Sequence, residues 1–328
     1  MSDTTTRHTE GSMKTIDRSV ASIKALKFLS QDQDWNHCGP TSASASLAGL
    51  GIAVRPRDIV TSGGARPWQV VLGGFGEAQI IAAIRALGAT AHIVWAHKKG
   101  KKAGKPATCE TFVDTVMGHV LQGNTAVVCI EDFSHWVAVV GTLDGDLVVM
   151  DPVKDKAFYV WDRKKLEKQT HAKGDDAGDT HLAVLVKRPD GPSPFRLTPE
   201  MIALGNADGM SSGKRLERLA DITHRILSRA GVKSDRATMT EWPSLRDWLA
   251  NHEEHILEPS EDVFKSDIRE CSKADVRRRF RSFLRFASVL PVRIPADANV
   301  QASLTASFTT EMVDCALNNS DDVLSEGE

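Results

Sequence analysis

Three residues in the first half of the chain have the types and settings for thiol chemistry. Cys38 stands in "QDQDWNHCGPTSASASLAGLG", directly before Gly39-Pro40 and a run of small residues that predicts a helix. A thiol at its free pKa is a poor nucleophile, and a helix N-terminus or a neighbouring imidazolium improves it by stabilising the thiolate. His135 can supply the imidazole. Most of the eleven histidines fall in loops or charged segments, whereas His135 opens the strand-like "HWVAVVG" after the polar "EDFS". Asp151 ends the next expected strand and precedes Pro152, so a carboxylate sits where it could orient the ring through its other nitrogen. An oxyanion formed at such a site needs donors. The backbone N–H of Cys38 is one candidate, and the side-chain amide of Gln31 or Gln33, both just upstream, is the second.

Whether Asp151 can reach His135 depends on the turn between the two strands. A three-residue "LDG" loop with Gly145 in the left-handed conformation pairs Asp151 with Val137, two residues along from His135 and on the same face. Diagonal side chains of that kind are about 7 Å apart at their roots. A two-residue Asp-Gly turn shifts the register by one and sends Asp151 to the other face. A functional pairing therefore requires the three-residue loop or a bulge.

The elements that must hold these residues are legible from periodicity and punctuation. "KALKFL" (24–29) reads as a short strand leading to the cysteine. The helix that carries Cys38, with Pro40 in its first turn, runs through "TSASASLAGL" and stops near Gly51. "EAQIIAAIRAL" (77–87) has helical spacing and ends at Gly88. "AHIVW" (91–95) is a strand, a Lys/Gly-rich loop follows, and "TFVDTVMGHVLQ" (111–122) is a helix. Then come five short β-branched and aromatic runs: "TAVVCI" (125–130), "HWVAVVGTL" (135–143), "DLVVMD" (146–151), "KAFYVWD" (156–162) and "HLAVLVKR" (181–188). Helices followed by a mostly antiparallel sheet give an α+β fold.

"RPDGPSPF" (188–195) reads as a linker, and the rest is helical in character. "KRLERLADITHRILSRAG" places Leu216, Leu219, Ile222, Ile226 and Leu227 on one face, with Gly231 as a stop. "SLRDWLANHEEHIL" does the same with Leu245, Trp248, Leu249 and Ile256. "SKADVRRRFRSFLRFASVL" opens with a Ser272-to-Asp275 capping-box spacing. The expected division is a disordered lead-in over 1–19, an α+β domain over 20–190, and a helical accessory domain over 191–328 with a frayed acidic tail.

Composition narrows the class. With 328 residues and 41% hydrophobic content, the chain can bury a sizeable core. A net charge of -2 points to no nucleic-acid or membrane partner, and no apolar run reaches bilayer-spanning length. The opening "MSDTTTRHTEGS" lacks the apolar centre of a secretory signal. Five scattered cysteines (Cys38, Cys109, Cys129, Cys271, Cys315) without a C-x-x-C pair argue against a disulfide framework or a structural zinc site. The reducing cytoplasm suits them, with signal-less export as an effector left open.

Each residue also has a plainer reading. Cys38 could be a buried small residue, His135 a strand-edge residue, and Asp151 a turn-former. His37, Cys38 and His135 could ligate zinc, but a fourth ligand and the usual spacing are lacking. Trp35 and Trp136 could wall a cleft or pack in the core. The basic run "DVRRRFRSFLRF" could dock a partner or line a solvated helix face.

Taken together, "SQDQDWNHCGPTS", "SHWVAVVG" and "VMDP" resemble the motifs of papain-like cysteine peptidases. The nearest branch is the one that processes bacteriocin leaders after double-glycine sites. The likeness spans roughly residues 20 to 188. It implies a papain-like cysteine peptidase fold with Cys38 as nucleophile, His135 as general base and acid, and Asp151 as the orienting residue. It also implies a glutamine in the oxyanion hole: the family's usual glutamine lies six residues before the cysteine, whereas Gln31 is seven before and Gln33 five before, and Gln31 is favoured. The best-known members are fused to a membrane-spanning exporter with an ATP-binding domain, and this sequence has neither. The expected function is cleavage of a peptide or isopeptide bond in a protein or peptide substrate, without metal or organic cofactor, with the helical region serving targeting, regulation or partner docking. A catalytically inactive papain-like binding module, or an acyltransferase passing the same thioester to an amine, are the alternatives.

Overall fold

The computed structural model describes residues 18–30, 36–97, 108–153, 156–172, 179–195, 197–206, 214–232, 242–263 and 272–317. Gln31, Gln33, Trp35 and Cys271 lie outside the described residues, as do the lead-in up to residue 17 and the tail from 318.

One six-stranded sheet organises the molecule. Its strands are β1 (Thr90–His97), β2 (Thr125–Ile130), β3 (His135–Leu143), β4 (Asp146–Met150), β5 (Phe158–Trp161) and β6 (Asp179–Lys187), in the spatial order β1-β6-β2-β3-β4-β5. Every pairing is antiparallel. The architecture is α+β, as the order of elements predicts.

Both faces of the sheet are covered, so its central strands are apolar on both sides. On one face, α6 (Cys109–Leu121) and α7 (Arg163–Thr170) pack Phe112, Val116 and Leu166 against Val128, Val137 and Val149. On the other face lies α2 (Cys38–Gly49), buried from Gly39 to Gly49. It is made almost wholly of small residues, which lets its backbone come close to its neighbours: a Cβ on Gly49 would stand 2.9 Å from the Val140 carbonyl oxygen. Leu47 faces one apolar cluster with Ile59 of α3 (Pro56–Ser62) and Ile80 and Ile84 of α5 (Glu77–Ala86). Ala45 and Ala48 face a second cluster. That one includes Ile23 and Leu26 of α1 (Arg18–Leu26), Ala138 and Val140 of β3, and Met150 of β4.

The second cluster continues into the C-terminal helices. These are α8 (Pro199–Asn206), α9 (Lys214–Arg229), α10 (Leu245–Asn251), α11 (Glu253–Val263), α12 (Lys273–Ala287) and α13 (Ala298–Leu317). Leu219, Trp248, Phe280, Phe283 and Phe308 share the cluster with α1 and the β3–β4 face. Phe308 meets Phe283 edge-on at 5.7 Å and Trp248 at 6.4 Å between ring centres. The remaining short helix, α4 (Pro67–Gly73), stands beside the cysteine loop.

Local chemistry explains most boundaries. Gly51, Gly88 and Gly231 all have positive φ. Each closes its helix with the paired bonds of a Schellman motif, for example Gly51 N–H to Ala48 and Ile52 N–H to Leu47. The Ser272–Asp275 capping box forms as spaced: the Ser272 hydroxyl accepts from Asp275 N–H, and the Asp275 carboxylate accepts from Ser272 N–H. Two readings need correction. "KALKFL" is the end of α1 and the turn after it. Ile23 and Leu26, three apart, and Ala25 and Leu29, four apart, bury together, so the period is helical rather than alternating. "SLRDWLANHEEHIL" is two helices. They meet at His252, whose backbone leaves the helical range at φ -113°, whose ring stacks on Trp248 at 4.4 Å and whose Nδ1 donates to the Trp248 carbonyl at 2.8 Å.

Candidate active site

The β3–β4 turn is the two-residue kind. Leu143 pairs with Asp146, and Asp144 and Gly145 have φ of 52° and 93°, the type I′ signature. By itself this would place Asp151 on the wrong face. A bulge corrects it: Gly141 pairs with Val148 but Val139 pairs with Val149, leaving Val140 as the extra residue. Beyond it, Ala138 faces Met150, so continuing the register brings Asp151 opposite Val137, on the side of His135. Of the two routes open to the sequence, the structure takes the bulge.

The geometry follows. His135 Nε2 donates to Asp151 Oδ1 at 2.8 Å, with the two residues only 7% and 5% exposed. The same oxygen accepts the N–H of Val153 at 3.1 Å. Asp151 therefore closes the turn after β4 and holds the imidazole, so its two readings are both satisfied. Cys38 stands against the His135 ring as well, close enough that each shifts the other's pKa. With Nε2 taken by the carboxylate, Nδ1 is the nitrogen left for the sulfur.

Cys38 is the first residue of α2, with Pro40 in the opening turn. Burial would raise its pKa, but the His135 ring, the N–H of Trp136, the imidazolium charge and the N–H of Gly39 together bring it below its ordinary value. His135 moves the opposite way. Burial opposes its charge, yet the hydrogen bonds and charges of Asp151 and Cys38 lift it to about 9. Other cysteines behave differently. Burial pushes Cys129 up to about 12, and burial with the Glu167 carboxylate pushes Cys109 up to about 11. A lowered thiol set against a raised imidazole is the arrangement that favours a nucleophilic sulfur.

The surroundings fix the cysteine loop. Gly39 presses on the Phe75 backbone, where a Cβ would come within 2.8 Å of the Phe75 carbonyl oxygen. Asn36, at φ 56°, donates its amide to the Val71 carbonyl of α4 at 2.8 Å. Next to these contacts α4 exposes Trp68 and Leu72. Trp136 is 6% exposed and packs in the apolar cluster with Leu47 and Cys129, so core packing is its side chain's role. Its main chain was not anticipated from sequence, and neither was Ser42, whose hydroxyl donates to the Trp136 carbonyl at 2.8 Å. A serine four residues after the cysteine was the only available signal.

Among the described residues, no three His, Cys, Asp or Glu side chains gather as metal ligands, and no helix is long and apolar enough to cross a membrane. A cavity of about 570 Å³ opens elsewhere, between the end of α6, the β3–β4 hairpin and Pro192, and Cys38, His135 and Asp151 do not line it.

No family model matches the sequence, and no curated protein matches it. Solved structures resemble part of it. One is the peptidase domain of Streptococcus ComA, a bifunctional ABC transporter involved in a quorum-sensing pathway. It is 14% identical, with 48% of this chain and 96% of that one covered and a TM-score of 0.34. Another is a double-glycine-motif protease from an AMS/PCAT transporter in complex with its leader peptide. It is also 14% identical over 48% of this chain and 89% of that one, with a TM-score of 0.32. Both matches leave about half of this chain without a counterpart.

Proposed function

We propose that this protein is a papain-like cysteine peptidase acting on a peptide or isopeptide amide in a protein or peptide substrate. The Cys38 thiolate attacks the carbonyl carbon. The Cys38 N–H and the side-chain amide of Gln31 receive the oxyanion. His135, protonated at Nδ1, gives that proton to the leaving amine as the C–N bond breaks and the thioester forms. Water, deprotonated by the now neutral ring, attacks the thioester, and the sulfur leaves as thiolate. Asp151 holds the ring by Nε2 throughout and stabilises its charge.

The observation that supports this reading is the His135 ring, held on one nitrogen by the Asp151 carboxylate and set against the Cys38 thiol, whose pKa it lowers. A bland buried cysteine has no need of that arrangement. Burial alone would push its thiol up, as it does for Cys129.

Alkylation by iodoacetamide tests it. At about neutral pH Cys38 should react roughly tenfold or more faster than Cys109 or Cys129, because only the thiolate reacts. Mapping the label by mass spectrometry gives the site. If Cys38 labels no faster than free cysteine, the peptidase reading is wrong. Cys38→Ala should abolish turnover with the fold intact, measured as hydrolysis of a peptide captured by that variant from native lysate.

A further inference from the structure

Helix α2 carries three buried serines in alternation, Ser42, Ser44 and Ser46. Each hydroxyl grips a different part of the molecule. Ser44 donates to the Val54 carbonyl at 2.5 Å, and Ser46 shares a hydrogen bond with the Thr125 hydroxyl at 2.8 Å. Ser42 alone of the three reaches the strand segment that bears the imidazole. Its Oγ donates to the carbonyl of Trp136, the residue next to His135.

The peptide at Trp136 is held by α2 at two points. Its N–H points at the Cys38 sulfur, and its C=O takes the Ser42 hydroxyl. Cys38 and Ser42 are four residues apart, about one helical turn, and so lie one above the other on the same face. The two contacts together dock the first turn of α2 onto the start of β3.

Strand order explains why a side chain must do this. β4 ends at Met150, which faces Ala138. Two residues further along that register Pro152 would stand opposite Trp136, and proline has no N–H to donate. On its β4 side the ladder offers the Trp136 carbonyl no donor, and Ser42 supplies one. Without it a buried carbonyl is unsatisfied and the segment is free to move relative to the sulfur.

We infer that Ser42 is a positioning residue: by holding the Trp136 carbonyl it keeps both the Trp136 N–H and the His135 ring against the Cys38 sulfur. This rests on the reading of Cys38 and His135 as the reacting pair. Ser42 touches no reacting atom itself, and its effect runs through the peptide it holds.

The test is the pH dependence of Cys38 alkylation by iodoacetamide in the full-length protein, with the label mapped by mass spectrometry. In Ser42→Ala the midpoint should rise towards the ordinary thiol value, and the rate near neutral pH should fall about tenfold, since the rate follows the thiolate fraction. Ser46→Ala, on the same helix but bonded to Thr125, should leave the midpoint unmoved. If Ser42→Ala does not fold, Ser42→Thr and Ser42→Val replace it. They differ only in the hydroxyl, and the threonine should titrate like the parent and the valine like an ordinary thiol. Superimposable curves for Ser42→Ala and the parent, with the parent midpoint already low, would overturn the positioning role and leave the peptidase reading standing. Equal shifts in Ser42→Ala and Ser46→Ala would overturn it as well, because helix packing alone would then account for them. A parent Cys38 that titrates like free cysteine would remove the reacting pair itself, and this role with it.

Discussion

Two histidines of the same sheet are both nearly inaccessible, yet they carry opposite charge preferences. His135, at the start of β3, is lifted to about 9, and His181, in β6, is lowered to about 4. Burial pushes both down. The difference lies in the partner. His135 Nε2 meets a carboxylate at 2.8 Å. His181 Nδ1 meets the Thr170 hydroxyl at 2.7 Å, and that hydroxyl already donates to the Leu166 carbonyl. His181 therefore donates from Nδ1 and keeps a bare, buried Nε2, which has no partner among the described residues. Its ring stacks on Phe112 at 5.1 Å, and the His171 charge nearby adds to the penalty on protonation. A buried imidazole becomes a proton carrier or an inert aromatic according to one neighbouring group, and depth alone does not decide which.

The largest disruption of this comparison is truncation after residue 195. It would strip Trp248, Phe280 and Phe308 from the apolar cluster that covers Ile23, Ala138 and Met150, while Phe112 and Val116 still cover the face around His181. The shortened chain should be insoluble, or should lose rapid Cys38 labelling. A soluble 1–195 fragment with parental labelling would instead favour a separable α+β domain ending near residue 190. Next in size is His135→Ala, which should lower turnover by about three to six orders of magnitude, since groups acting as a unit fail together. Asp151→Asn should cost less, about a hundredfold in kcat. It should also move the alkaline limb of the pH–rate profile down. In the parent that limb reports loss of the His135 proton near pH 9, and without the carboxylate it should fall towards the ordinary 6.5. An unchanged limb would show that Asp151 acts only as a turn residue.

The smallest effect belongs to His181. Its folded-state pKa is depressed, so between about 4 and 6.5 the unfolded chain binds more protons and stability rises with pH. The contribution is complete above about 6.5 and lost on acidification. His181→Phe should flatten that acid slope in thermal melts and leave turnover within about twofold. His135 has the opposite sign: the native state holds the extra proton between 6.5 and about 9, so its contribution is complete below 6.5 and lost as pH rises. Melts of Asp151→Asn should weaken that alkaline loss, and an unaltered curve would assign it elsewhere.

The sequence carried much of this. Cys38, His135 and Asp151 could be picked out because each sits at a boundary, a helix start, a strand start and a strand end before proline, and boundaries have strong local chemistry. Gly51, Gly88 and Gly231 were readable as stops for the same reason. Long-range consequences were harder to read. Nothing in "KALKFL" tells that its helix packs on α9 and α2 rather than forming a sheet edge. The short helices α3 and α4 announce themselves only by Pro56 and Pro67 in their first turns. The partner of Ser42 is ninety-four residues away, beyond any local pattern.

The Val140 bulge has a consequence for insertions and deletions in this hairpin. The turn contributes one parity and the extra residue reverses it, so the two act as a sum. Deleting Val140 should rotate Asp151 away from the imidazole, and adding one residue beside Gly145 should do the same. Making both changes together restores the original count of sixteen steps from His135 to Asp151, and the double variant should regain what each single one loses.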